Sequence, residues 1–161
     1  MRNVRSLTLA LAALALWAAP ARAAVEVTFV APARFTDAAI RDTPMYGAIK
    51  THLQRLGARY LGRGDTLRIT VLDLDLAGQD MSSRGPSGLR VMTDATPPKI
   101  RLRYRLERNH RIVASGEDSL SDQFYLSRPG ANLSSDELRY EKSMLDDWFR
   151  EKFSAARTPA R

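Results

Sequence analysis

The run TLRITVLDLDLAGQ, residues 66–79, contains two apolar alternations of opposite parity. Leu67, Ile69 and Val71 occupy odd positions, whereas Leu72, Leu74 and Leu76 occupy even ones. A strand with one buried face cannot hold both sets, because a slip of one residue turns every following side chain over. A β-bulge near Val71 and Leu72 is the simplest remedy. It returns Leu72, Leu74 and Leu76 to the core and turns Asp73 and Asp75 outward, which requires a sheet buried on one face.

The other elements follow from their periods. VEVTFV, residues 25–30, sets Val25, Val27 and Phe29 against Glu26 and Thr28, the alternation of a half-buried strand. From Thr43, a possible cap, and Pro44, suited to a first helical turn, Met45, Ile49, Leu53, Leu56 and Tyr60 recur at helical spacing. Gly62 suits the end of that helix, and Gly57 inside it implies a close neighbour, since glycine costs a helix about 1 kcal/mol relative to alanine. In KIRLRYRLER, Ile100, Leu102, Tyr104 and Leu106 alternate with charged residues. Asn109 and His110 read as a turn into a fourth strand over 111–115 that continues toward Tyr125. Ser134 and Glu137 form an S-x-x-E capping box with Leu133 and Leu138 as its staple. The helix that follows runs to about Ser154, with Leu138, Leu145, Trp148, Phe149 and Phe153 on its apolar face.

The order β-α-β-β-β-α predicts an α+β two-layer sandwich, a predominantly antiparallel sheet with two helices on one face. The other face is left to solvent or a partner. Residues 78–98 form a connection too long for a plain turn, in which GLRVM adds a short edge strand. This loop has the most freedom to carry function.

The first 23 residues stand apart. Arg2 and Arg5, an apolar run from Leu7 to Ala19, and the triplet Ala21-Arg22-Ala23 make the three-part pattern of a secretory signal peptide, with cleavage before Ala24. The remainder is expected to be one domain over 24–154 with a frayed tail at 155–161, soluble and periplasmic, with no transmembrane segment after cleavage. Losing Arg2, Arg5 and Arg22 lowers the formal net charge of +7 by three. With no cysteine in the chain, no disulfide or acylated cysteine is available. The remaining basic excess suits an anionic envelope component, and export argues against nucleic acid.

Candidate chemistry is sparse. RGPSGL, residues 84–89, lacks the G-x-S-x-G order of a hydrolase elbow and reads as a turn. His52 reads as a boundary residue of the first helix, His110 as an exposed turn residue, and two histidines without cysteine make a poor zinc set. Glu141, Asp146 and Asp147 read as the outer face of the last helix, with Arg139, Lys142 and Arg150 as surface partners, and Trp148 as core. The best binding candidates are Asp73 and Asp75 with the strip Arg101, Arg103 and Arg105, which Lys99 extends. The preferred reading pairs these aspartates with these arginines across neighbouring strands. A divalent-cation site would need Asp73 and Asp75 together with Asp65 or Asp80, without any loop of EF-hand spacing. A mixed acid and base surface that binds a partner is the third option.

The segments VEVTFVAPARFTDA, LGARYLGRGDTLRITVLDLDLAG, PPKIRLRYRL and YEKSMLDDWF together resemble a family of small exported proteobacterial proteins known only as a domain of unknown function. The resemblance spans nearly all of residues 25–153 and implies export and a single domain, with no activity, cofactor or catalytic residue to carry over. The β-α-β-β-β-α order also resembles the sandwich of several envelope-assembly and transport-accessory lipoproteins, although this chain lacks their anchoring cysteine. The expectation is a non-enzymatic binding or accessory protein of the envelope, without cofactor, whose partner is an envelope protein or an anionic envelope component. The alternative is a metal-dependent or hydrolytic enzyme using Asp73, Asp75 and the 78–98 loop.

Overall fold

The structure of the chain, a computed structural model, describes residues 23–37, 43–81, 90–130 and 133–154. The segment before Ala23 expected to be a signal peptide, the expected frayed tail from residue 155 and the RGPSGL segment expected to turn lie outside the described residues.

Strand β1 (Ala24–Phe29) buries Val25 and Val27 and exposes Glu26 and Thr28. It pairs in parallel with β2 (Asp65–Asp75), a direction that demands a long crossover, here helix α1 (Thr43–Tyr60). Two short strands, β3 (Gln79–Asp80) and β4 (Arg90–Val91), form a ladder of their own. Strand β5 (Lys99–Arg108) lies antiparallel to β2, and β6 (Arg111–Ser121) lies antiparallel to β5. Asn109 and His110 join them at φ of 48° and 64°, the left-handed pair that a two-residue hairpin needs. Helix α2 (Arg139–Phe153) closes the fold. The main sheet has the order β1-β2-β5-β6.

The α+β sandwich is thus present, with two refinements. The sheet is mixed because β1 runs parallel to β2, and the strand within GLRVM pairs with β3 in a separate ladder instead of joining the edge of the main sheet.

Pairing along β2 passes from Val71 opposite Leu102 to Asp73 opposite Arg101, leaving Leu72 as the extra residue of a bulge. Beyond it Leu74 and Leu76 rejoin the core, while Asp73 and Asp75 face the side away from the helices. Leu72 does not return to the core as expected, because the bulged residue itself falls out of register and stays half-buried.

Both helices cover one face. Ile49, Leu53 and Leu56 of α1 and Leu145, Trp148, Phe149 and Phe153 of α2 share one cluster with Leu67, Ile69, Leu102 and Leu106 of the sheet. Trp148 packs edge-on to Tyr104 at 5.8 Å, and its Nε1 donates to Asp118 at 2.8 Å. A smaller cluster of Ala77, Tyr125 and Tyr140 lies beside it, fixed by the Tyr125 hydroxyl donating to the Thr93 carbonyl at 2.7 Å.

Gly57 has the close neighbour its position implies. A Cβ there would lie 2.1 Å from Cγ2 of Val25, a stiff β-branched side chain on β1. Gly57→Ala should therefore destabilise the protein by about 1–2 kcal/mol, since overpacking outweighs the gain in helix propensity. A denaturant melt checks this; a stabilised variant would mean that β1 and α1 sit further apart.

Two end signals are corrected. Gly62 is not the left-handed cap of α1: its N–H is taken by the Asp65 carboxylate at 2.9 Å, and the left-handed glycine is Gly64 in the turn into β2. The Ser134/Glu137 capping box does not form either. Ser134 Oγ accepts from the Asp136 N–H at 3.2 Å and Asp136 accepts from the Leu138 N–H at 2.9 Å, so a local aspartate turn starts α2 at Arg139. Leu133 is 91% exposed and staples nothing.

Candidate functional site

With every core side chain of the sheet committed to the helices, its other face is open. Adjacent strands lie about 4.8 Å apart, so outward side chains form a grid. One row is Arg68, Arg105 and Ser115; the next is Thr70, Arg103 and Glu117; a third runs from Asp73 through Arg101 to Ser119. Asp75, Lys99 and Ser121 make the fourth.

The aspartates and arginines share this face, but their pairing differs from the expected one. Asp73 stands opposite Arg101 in register, yet its carboxylate accepts from the Thr36 N–H at 2.7 Å and the Thr36 hydroxyl at 2.8 Å. It holds the turn after β1. Asp75 pairs with Lys99 at 3.2 Å. The arginines use glutamates instead: Arg101 and Arg103 share Glu117 at 3.5 and 3.0 Å, and Arg68 and Arg105 share Glu107 at 2.8 and 3.1 Å. Arg68 also reaches Glu26 at 3.0 Å. The hydrogen bond from Arg68, with added charge from Arg105 and His110, outweighs partial desolvation and holds the Glu107 carboxyl below its usual range. Over the first two rows lies a shallow depression of about 450 Å³, lined by Arg68, Thr70, Arg103, Arg105, Ser115 and Glu117 among others.

The carboxylates named for a cation site are scattered. Asp65, fully enclosed, is gripped by Arg108 through Nε at 2.7 Å and a terminal nitrogen at 3.0 Å, at the opposite end of β2 from Asp75. Burial pushes the Asp65 carboxyl up, but Arg108 and the Gly62 N–H together hold it below its usual range. Asp80 sits exposed on β3. Among the described residues no group of three or more histidine, aspartate or glutamate side chains is placed to hold a metal ion.

Glu141 is the main correction on α2. It is buried, not on the outer face, and its Oε1 accepts from the Ala77 N–H at 2.7 Å while Oε2 has no hydrogen-bond partner among the described residues. Burial pushes its carboxyl up. The spacing already contained this, since Leu138, Glu141, Leu145 and Trp148 follow the i, i+3, i+7, i+10 pattern of one helix face. Asp146 accepts from or pairs with His52 Nε2 at 3.0 Å, tying α2 to α1, and Asp147 is engaged by Arg128 and Arg150. His52 is a boundary residue as expected.

Arg90 was not legible as a structural residue. Its guanidinium donates to the carbonyls of Ala77 at 3.0 Å and Gly78 at 2.6 Å and to Asp37 at 2.8 Å, fastening the end of β2. Backbone acceptors leave no mark in a sequence.

The arrangement is a one-sided sandwich presenting a charged, hydroxyl-bearing sheet face. The family described as Protein of unknown function (DUF3016) matches residues 23–151, most of the chain, and the chain belongs to it. No curated protein matches. Among solved structures, a minor lipoprotein from Acinetobacter baumannii is similar at 15% identity over 87% of this chain and 96% of that one, with a TM-score of 0.26, too loose a likeness to carry an argument. No helix among the described residues is long and apolar enough to cross a membrane.

Proposed function

We propose that the protein is a non-enzymatic binding or accessory module of the cell envelope, exported to the periplasm after removal of residues 1–23, folding as one domain over 24–154. Its contact surface is the outer face of the main sheet, carried by Arg101, Arg103 and Arg105 with Arg68, and bordered by Asp73 and Asp75. One observation carries this reading: both helices cover one side of the sheet, and the other side interleaves its guanidiniums and Lys99 with the carboxylates of Glu26, Asp73, Asp75, Glu107 and Glu117, a mixed surface of exchangeable ion pairs. Such a face suits a partner that takes over these ion pairs, an envelope protein or a discrete anionic group of an envelope component.

The carboxylate to remove is Glu117, because it is shared by Arg101 and Arg103. Glu117→Gln should leave the fold intact, since exposed pairs contribute about 0–1 kcal/mol. It should also tighten co-sedimentation with lipopolysaccharide about two- to fivefold at low salt, with the gain lost at high salt. Wild type and variant failing alike to sediment would count against this surface.

A further inference from the structure

Arg68 stands directly opposite Arg105 on neighbouring strands. Like charges in that position are unfavourable. They are tolerated here through Glu107, which lies two residues along β5 and receives both guanidiniums at the edge of the depression. In the next row Arg103 stands opposite Thr70, with Glu117 on its other side. Three guanidiniums, each with five fixed donors, therefore surround a concavity whose other polar groups include the hydroxyls of Thr70 and Ser115 and the carboxylate of Glu117.

Three features select the ligand. A planar anionic bilayer gains little here, because Glu26, Asp73, Asp75, Glu107 and Glu117 punctuate the same face and would meet it as like charges. A compact dianion seated among Arg68, Arg103 and Arg105 can instead replace Glu107 and Glu117 as their partner, collecting the charge-assisted, fork-shaped hydrogen bonds those carboxylates now accept. The hydroxyls of Thr70 and Ser115 flank the same depression, so a polyol ring carried on the phosphate can exchange hydrogen bonds with them. The openness of the depression bears on the source. Soluble small ligands are normally enclosed over most of their surface, whereas a headgroup held at a membrane needs less enclosure because its anchorage supplies effective concentration.

We infer that the outer face takes a phosphate monoester borne on a sugar, the headgroup of a phosphorylated glycolipid, with Arg68, Arg103 and Arg105 holding the phosphate and Thr70 and Ser115 meeting the sugar. This rests on the sheet-face reading above and specifies its ligand.

The test is amide NMR on the exported, ¹⁵N-labelled protein, titrated with glucose 1-phosphate, with glucose, with micelles of a phosphorylated glycolipid, and with phosphatidylglycerol vesicles. Glucose 1-phosphate and the glycolipid should move the signals of Arg68, Thr70, Arg103, Arg105 and Ser115, and glucose should not. Arg105→Gln should weaken both ligands about tenfold, the loss expected for one charge-assisted contact. Arg55→Gln, on the exposed side of α1, should change neither. Response to glucose 1-phosphate but not to the glycolipid would overturn the membrane source. Response on this face to vesicles alone would overturn the sugar phosphate while leaving the sheet-face reading standing. Perturbation confined to other surfaces, or no response to any probe together with no effect of Glu117→Gln on lipopolysaccharide binding, would overturn both.

Discussion

Trp148→Ala should lower the stability of the protein by about 3–5 kcal/mol, read as a large fall in the urea midpoint. The indole is 4% exposed and packs edge-on against Tyr104, Phe149 and Phe153, so its removal opens a void between α2 and the sheet. It also deprives Asp118 of the indole N–H, leaving that carboxylate with Lys152 at 3.2 Å. Against the 5–15 kcal/mol that such domains command, this is a large fraction. Trp148→Phe keeps most of the packing and loses the hydrogen bond, and should cost about 1–2 kcal/mol. An unchanged midpoint in the alanine variant would mean that the indole is not enclosed.

The second large effect lies at the other end of β2. Arg108→Ala leaves the Asp65 carboxylate enclosed with only the Gly62 N–H, and should cost about 2–4 kcal/mol at neutral pH; the figure is discounted because Arg108 is itself 39% exposed. The pH dependence has a definite sign. In the wild type the Asp65 pKa is held down, so its contribution is present above the ordinary carboxylate range and is lost as pH falls through the folded value. In the variant, burial without the guanidinium raises that pKa, so stability falls as pH rises above about 4. The two curves should separate most at neutral pH and converge only as pH falls below the ordinary carboxylate range, through the lowered wild-type value. Asp65→Asn in the variant background should restore much of the loss; equal costs at all pH values would show that the pair acts through packing alone.

What could be read in advance was what depends on period. The parity change at Val71 and Leu72 announced the bulge, and the alternation of Ile100, Leu102, Tyr104 and Leu106 announced a sheet with one apolar face. The shared partner of Arg101 and Arg103 was hidden because it depends on a second bulge. In the β5–β6 hairpin, Glu107 pairs with Ile112 but Leu106 pairs with Ala114, so Val113 is skipped. Without that skip Arg103 would face Gly116 and Arg101 would face Asp118; with it they face Glu117 and Ser119, and Asp118 turns inward to Trp148. Nothing in RIVASGEDSLS signals the extra residue, since Ile112 and Val113 are both exposed. The Ser134 capping box failed because Ser134 Oγ is taken by the Asp136 N–H, while Asp136, nearer the helix start, accepts from the Leu138 N–H.

The claim that the outer sheet face is the working surface is open to one direct measurement. A photo-crosslinking amino acid placed at Ser119, exposed on that face beside Arg101, and another placed at Arg55, exposed on α1, report contacts in the cells that make the protein. The account predicts an adduct from position 119 on an envelope component, diminished by Arg103→Glu in the same chain, and none from position 55. An adduct from position 55 alone would place the contact on the helical side and contradict it.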